Sequence, residues 1–268
     1  MHSTTSSKRH FAPLLIFLTL CLLLTGAQTV QAQGSAATHW YCPRGKNHAQ
    51  PHFGEDLSWV SLYGGYYIDK SRTSPLDGVK TVYLTFDAGY ENQNVAKTLD
   101  ILKSEDVPGA FFILGHLCEA NPELVRRMAD EGHLVCNHTY THKNLTGSQS
   151  GALTKELERL EVACSRLGVS MAKYFRPPEG VFDRAMLSEA QNCGYKTIFW
   201  SFAYADWDNR KQPSPAAAKE KILSCVHNGA VILLHPTSAT NAAILGEVIQ
   251  ALKADGYTFG TLDQLTEG

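Results

Sequence analysis

The chain has 268 residues, 44% of them hydrophobic, with 24 basic and 26 acidic side chains and a net charge of −2. That apolar content is enough for a packed core, and the charge balance provides no basic surface, so nucleic acid is not an expected partner. Lys8 and Arg9 are the only charged residues before position 33, so the remainder carries 22 basic against 26 acidic residues, a net of −4.

Residues 1–32 have the layout of a secretory signal peptide. Lys8 and Arg9 open it, the apolar stretch Phe11–Leu24 follows, and Val30-Gln31-Ala32 offers small residues at the cleavage positions. The apolar stretch has 14 residues, short of the ~20 needed to cross a bilayer; an uncleaved anchor is the competing reading. Cleavage after Ala32 takes 32 residues from 268 and leaves 236, a size common for one α/β barrel domain. The expected location is extracytoplasmic, secreted or associated with the wall or membrane, with no stable membrane span after cleavage and a monomeric state. Cys21 leaves with the signal segment; Cys42, Cys118, Cys136, Cys164, Cys193 and Cys225 remain. None forms a C-x-x-C pair, so a zinc knuckle is not expected. Export permits disulfides and a reducing setting would leave thiols; the six read as small buried residues with no assignable pairing.

Residues 33–78 are irregular and rich in His, Tyr, Gly and Pro, an N-terminal extension packing on the domain at 79–266. From Val79 the pattern is regular. Thr81–Phe86 is a β-prone run, and Val95–Lys103 is a helix with Val95, Leu99 and Leu102 on one face. Ala110–Leu114 is a strand. Asn121-Pro122-Glu123 starts a helix, with Asn as N-cap and Pro at the first position. Strands follow at 134–137, 173–176, 197–202, 230–234 and 257–262. Helices follow at 153–167, 184–192, 216–226 and 243–254, with Gly194, Gly229 and Gly256 near helix ends. Apolar strands alternating with helices imply a parallel sheet buried on both faces. About seven such units suggest a distorted (β/α) barrel, with a doubly wound open sheet as the alternative.

Polar residues cluster directly after the apolar strands. Asp87 follows Phe86, His138 follows Asn137, Arg176 follows Phe175, Asp206 follows the strand holding Phe199 and Trp200, and His235 follows Leu234. In a parallel barrel all strand C-termini share one rim, where catalytic groups gather. Singly, an Asp there is usually a turn residue and a His is usually structural; their joint occurrence weakens that reading. His138 and His142 are four residues apart, a spacing that can hold one divalent ion from one side of a helical turn. His48 and His52 share the spacing inside the irregular extension, where no chemistry is expected.

Thr85-Phe86-Asp87-Ala88-Gly89-Tyr90, His138 to His142, Arg176-Pro177-Pro178-Glu179-Gly180, Asp206-Trp207 and Leu233-Leu234-His235 occur in that order. Together they resemble the five motifs of the NodB-homology polysaccharide deacetylases, over about residues 79–266. The wording of Thr85 to Asn92, Glu131-Gly132-His133, Arg176 to Gly180 and Phe199 to Trp207 is most similar to the delta-lactam-biosynthetic branch, which acts on N-acetylmuramic acid of peptidoglycan. The resemblance implies a distorted barrel and hydrolysis of a sugar acetamido group. It implies a divalent ion, with zinc expected, on His138 and His142, Asp87 as general base and His235 as general acid. Arg176 would orient Asp87, and Asp206 would tune either Arg176 or His235. The Glu179 N–H would serve the oxyanion, and Leu233 and Trp207 would wall the acetyl pocket. Three positions depart from the family pattern: Ala88 stands where a second Asp usually binds the metal, Glu179 where an aromatic is usual, and Ala203 where an Asp is common.

The expected substrate is a cell-wall glycan carrying N-acetylmuramic acid, with lactam formation in spore cortex as the further expectation. A chitin-oligosaccharide or xylan deacetylase is the second reading. A non-catalytic wall-binding protein is the third, favoured by Ala88 and opposed by the retained acid/base residues. The sequons at Asn137 and Asn144 are incidental unless the chain passes through a eukaryotic secretory route.

Overall fold

Short two-residue strands open the fold and long apolar ones follow. The chain forms β1 (Thr38–His39), α1 (Glu55–Ser58), β2 (Gly65–Tyr66), β3 (Lys80–Ala88), α2 (Asn94–Ser104), β4 (Ala110–Ile113) and α3 (Gly115–Ala120). It continues with α4 (Pro122–Asp130), β5 (Leu134–Asn137), α5 (Ala152–Arg166), β6 (Tyr174–Phe175), β7 (Val181–Phe182) and α6 (Arg184–Asn192). Last come β8 (Lys196–Ile198), α7 (Pro215–Cys225), β9 (Ala230–Leu234), α8 (Ala239–Ala254), β10 (Tyr257–Phe259) and α9 (Leu262–Glu267). The structure, a computed structural model, describes residues 1–2, 36–43, 45, 48–73 and 78–267. The segment read as a signal peptide lies almost wholly outside the described residues; the unit described below runs from Gly34 to Gly268. Among the described residues, no helix is long and apolar enough to cross a membrane.

The main sheet runs β10-β3-β4-β5-β6-β8-β2, with β9 on the other side of β3, and every pairing in it is parallel. It curls toward closure through the segment after β8. Ser201 N–H donates to the Val231 carbonyl at 2.9 Å, and Leu233 N–H to that of Phe202 at 2.9 Å. This is the expected distorted barrel, and its seven expected strands are all present. An eighth, β2, comes from the extension that the sequence left irregular; it pairs with β8 at Gly65↔Thr197 and Tyr66↔Ile198.

Strand alternation divides the core in two. Val82, Leu84, Phe86 and Ala88 of β3 face the helices, packed with Val95 and Leu99 of α2 and Val248 and Leu252 of α8. Tyr83 faces inward with Phe112, Cys136, Tyr174, Ile198 and Val231, and Leu262 and Leu265 of α9 cap that inner cluster. Thr85 and Asp87 continue the inward row toward the C-terminal rim. Helix α5 shows the outer logic: Leu153, Leu157, Leu160 and Cys164 form its buried stripe, and each leucine so buried contributes roughly 1.5–3 kcal/mol.

Two α-helices after Val79 escaped the sequence reading because they are short. Helix α3 fills the link between β4 and α4, so Asn121 joins two helices and caps without a side-chain hydrogen bond. Helix α9 takes over after Phe259, where a strand to 262 was expected. Helix α8 begins four residues early because Ser238 Oγ accepts from Asn241 N–H at 3.0 Å.

Candidate active site

Asp87, His138, His142, Glu179, Trp207, Leu233 and His235 line one cleft of about 800 Å³ at the C-terminal rim, with Arg176 and Asp206 buried behind it. The extension adds Cys42 and Pro43 to the wall, a contribution not foreseen. His48 lies apart from this chemistry; its Nδ1 donates to the Val226 carbonyl at 2.7 Å.

Arg176 is the hub, fully buried. Its Nη1 donates to Asp87 Oδ1 at 2.7 Å, Nη2 to Thr85 Oγ1 at 2.9 Å, and Nε to the Ile198 carbonyl at 3.0 Å. The guanidinium lies over the Phe112 ring, 4.1 Å from its centroid. Two of these bonds go to β3 and one to β8, with an aromatic ring under the guanidinium plane, so the fork has little freedom. Burial alone would raise the Asp87 carboxyl; the charge and hydrogen bond of Arg176, with the charge of His235, outweigh it and hold Asp87 below the usual carboxylate range. Thr85 was missed, although its place two residues before Asp87 puts it on the same inward face.

His138 is buried beside Asp87. Its Nδ1 lies 2.8 Å from the Arg176 carbonyl, which can only accept, so the ring N–H sits at Nδ1. Burial drives this imidazole down to about 4, leaving it neutral near pH 7. Its Nε2 then presents a lone pair toward Asp87 Oδ2, 3.4 Å away.

His142 stacks edge-on to His138, ring centroids 4.9 Å apart. The expected helical turn is absent: Thr139 and His142 both take positive φ, 69° and 57°, so a tight loop makes the pair. Such backbone in a β-branched residue needs support. Thr139 N–H donates to Asn137 Oδ1 at 2.9 Å, and His142 N–H to Thr139 Oγ1 at 3.0 Å. Helices grip the loop from outside. Gly115 N–H at the start of α3 donates to the Tyr140 carbonyl at 3.0 Å, and Tyr140 Oη donates to Glu119. Thr141 N–H and Oγ1 both donate to Glu156 of α5, and Arg159 lies over the Tyr140 ring. A Cβ on Gly115 would come within 2.5 Å of that ring.

On the other side, Asp206 is 1% exposed and serves His235 rather than Arg176. Its Oδ1 accepts from His235 Nδ1 at 2.8 Å; its Oδ2 accepts from His235 N–H at 2.8 Å and Asn241 Nδ2 at 2.6 Å. Burial would lower His235, but the bond to Asp206 and the charges of Asp206 and Asp87 raise it above the ordinary imidazole value. Its Nε2 is left for the cleft. Asn241, at the start of α8, gave no sequence signal. Trp207 is 61% exposed with its ring edge-on to His235, and Leu233 is buried in the cleft wall.

Glu179 has φ 59° in the turn that carries the chain past the cleft, and its side chain is exposed. Arg184 lies over the Trp59 ring, and Lys196 Nζ donates to Thr266 Oγ1 at 2.9 Å. Ala88 is fully buried in the helix-facing cluster and supplies no donor. Among the described residues, no group of three or more His, Cys, Asp or Glu side chains is arranged to hold a metal ion.

Residues 76–198 match the polysaccharide deacetylase family model. The chain is 37% identical over 246 residues to the peptidoglycan-N-acetylmuramic acid deacetylase PdaA of Bacillus subtilis, covering 91% of each. It is 32% identical to a chitooligosaccharide deacetylase of Rhizobium leguminosarum bv. trifolii, over 69% of this chain and 91% of the relative. The solved structure of Bacillus subtilis PdaA, a family 4 carbohydrate esterase, superposes with a TM-score of 0.80 at 37% identity, covering 86% of this chain and 97% of that one. With the barrel and the rim residues described above, the chain belongs to the polysaccharide deacetylase family and is a hydrolase that removes acetyl groups from amide nitrogen.

Proposed function

We propose that the protein is a peptidoglycan de-N-acetylase acting on N-acetylmuramic acid, exported to the outer face of the membrane and working as a monomer. The observation that carries the reading is the pairing of a carboxylate held below its usual range with an imidazole held above its own, both facing one cleft. Two groups pushed apart in this way divide base and acid roles.

In the proposed reaction a water oxygen attacks the acetamide carbonyl carbon while Asp87 takes the water's proton. Arg176 fixes the carboxylate through Oδ1 and leaves Oδ2 for this task. His235 then gives its Nε2 proton to the sugar nitrogen as the C–N bond breaks, releasing acetate and the free amine. Asp206 stabilises the imidazolium and points it. The Glu179 N–H serves the oxyanion, and Leu233 and Trp207 wall the acetyl methyl.

The imidazoles of His138 and His142 would hold a divalent ion, zinc by expectation. His138 suits this: it is neutral, its Nδ1–H is anchored on a carbonyl, and its Nε2 lone pair faces a carboxylate oxygen with no proton between them. When bound, such an ion supplies Lewis-acid polarisation of the carbonyl and of water. With Ala88 in place of a carboxylate, the site rests on fewer protein ligands.

The likeness to PdaA supports muramic acid as the substrate sugar. So does Lys221, a cation on the cleft wall that suits the lactyl carboxylate. An exposed Glu179 in place of an aromatic leaves the rim open for the lactyl ether at C3. The freed amine can then be closed by the lactyl carboxyl to a delta-lactam of spore cortex. The test compares kcat/KM on peptide-free glycan strands and on chitin oligomers, with mass spectrometry locating the lost acetyl. Faster loss of acetyl from chitin oligomers, with muramic residues untouched, would assign the second substrate class.

A further inference from the structure

Cys118 and Cys164 lie far apart in sequence and together in space. Their sulfurs are 3.6 Å apart, Cys118 on α3 and Cys164 on α5, both buried in the sheet–helix core. A disulfide needs a separation of roughly 2.05 Å, so the two sulfurs must close the remaining gap when they bond. Three of the four other described cysteines are engaged differently. Cys42 Sγ faces the Trp200 carbonyl at 3.6 Å, Cys193 Sγ lies 3.4 Å from Thr154 Oγ1, and Cys136 faces the barrel interior.

The pair also has a position with consequences. Helices α3 and α5 are the two that grip the His138–His142 loop, α3 through Gly115 and Glu119, α5 through Glu156 and Arg159. We propose that Cys118 and Cys164 are joined as a disulfide in the exported protein, stapling the two helices that hold the histidine loop. The step is thiol–disulfide exchange. One thiolate attacks a disulfide oxidant, either a thiol–disulfide oxidoreductase outside the membrane or oxidised glutathione in a test. The second thiolate then displaces the mixed disulfide, so two electrons and two protons leave with the reduced oxidant. Both sulfurs are buried, so exchange takes place while the chain folds and the finished bond is shielded.

The cross-link closes a loop between residues 46 apart in sequence, which in a chain-entropy model raises Tm by roughly 10 °C in a domain of this size. The test uses the full chain refolded with oxidised glutathione, then unfolded in denaturant with iodoacetamide to block every free thiol, and digested without reduction. Mass spectrometry should find one linked peptide pair, Cys118 with Cys164, and alkylated Cys21, Cys42, Cys136, Cys193 and Cys225. Protein refolded in a phosphine reductant should show a Tm lower by that amount and faster hydrogen exchange of the amides at 138–142, and Cys164→Ser should not respond. Alkylation of both Cys118 and Cys164 after oxidative refolding would overturn the proposal, as would linkage of either to another cysteine. If Cys164→Ser does not fold, the wild-type peptide map and its response to reductant decide the matter.

Discussion

Replacing Asp206 with asparagine should separate the acid from the rest of the site. The carboxylate accepts three hydrogen bonds, two of them from His235. An asparagine amide of the same shape has one oxygen. If that oxygen takes the Oδ2 place, the amide NH₂ faces His235 Nδ1, which must then accept and can no longer carry a proton. The imidazolium loses its charge-assisted bond and the neighbouring negative charge. A hydrogen bond of that kind is worth about 1.5–3 kcal/mol, and one pKa unit is about 1.4 kcal/mol, so His235 should fall by roughly one to two units. His235 must be protonated to act, so activity is present below its pKa and lost as pH rises through it. In the wild type that alkaline limb lies above the ordinary imidazole value. In Asp206→Asn it should move down by the same one to two units, with kcat/KM near neutrality reduced on the order of 10²-fold. Acetate release measured from about pH 5 to about pH 10, with thermal unfolding alongside, reads both effects. A folded variant with the wild-type rate and an unmoved alkaline limb would refute the role of His235 as acid.

Asp87→Asn should lower turnover by about 10²–10⁴-fold with the fold intact; wild-type acetate release from a folded variant would remove Asp87 as base. A chelator should abolish most activity and added zinc restore it, with elemental analysis showing the ion lost in a His138→Ala, His142→Ala double variant. Activity unaffected by chelation, with no metal in the purified protein, would remove the ion from the reaction. Asp87 is the depressed carboxylate, so its linkage runs the other way from that of His235. The stability it contributes is present above the ordinary carboxylate pKa and lost as pH falls through the lower folded value. Thermal melts of wild type and Asp87→Asn should therefore converge in strong acid.

The sequence by itself determined the parallel α/β sheet and its rim; closure toward a barrel rather than an open sheet was decided by the packing of the segment after β8 against β9. Runs such as Ala110–Leu114 and Ala230–Leu234 are apolar on both faces, which a parallel sheet covered by helices can bury. One rim then follows from shared strand direction, so Asp87, His138, Arg176 and His235 could be gathered by reading the residue after each strand. Tertiary structure alone decided the pairings. Asp206 had two possible partners, Arg176 and His235, and the choice fell to His235 because α8 brings Asn241 to the same carboxylate. The spacing of His138 and His142 suggested a helix, but Asn137, α3 and α5 impose a left-handed loop that no local pattern encodes. Contacts between residues distant in sequence, such as Cys118 with Cys164 or Arg176 with Thr85, leave no periodic trace along the chain; they arise only when separate elements pack.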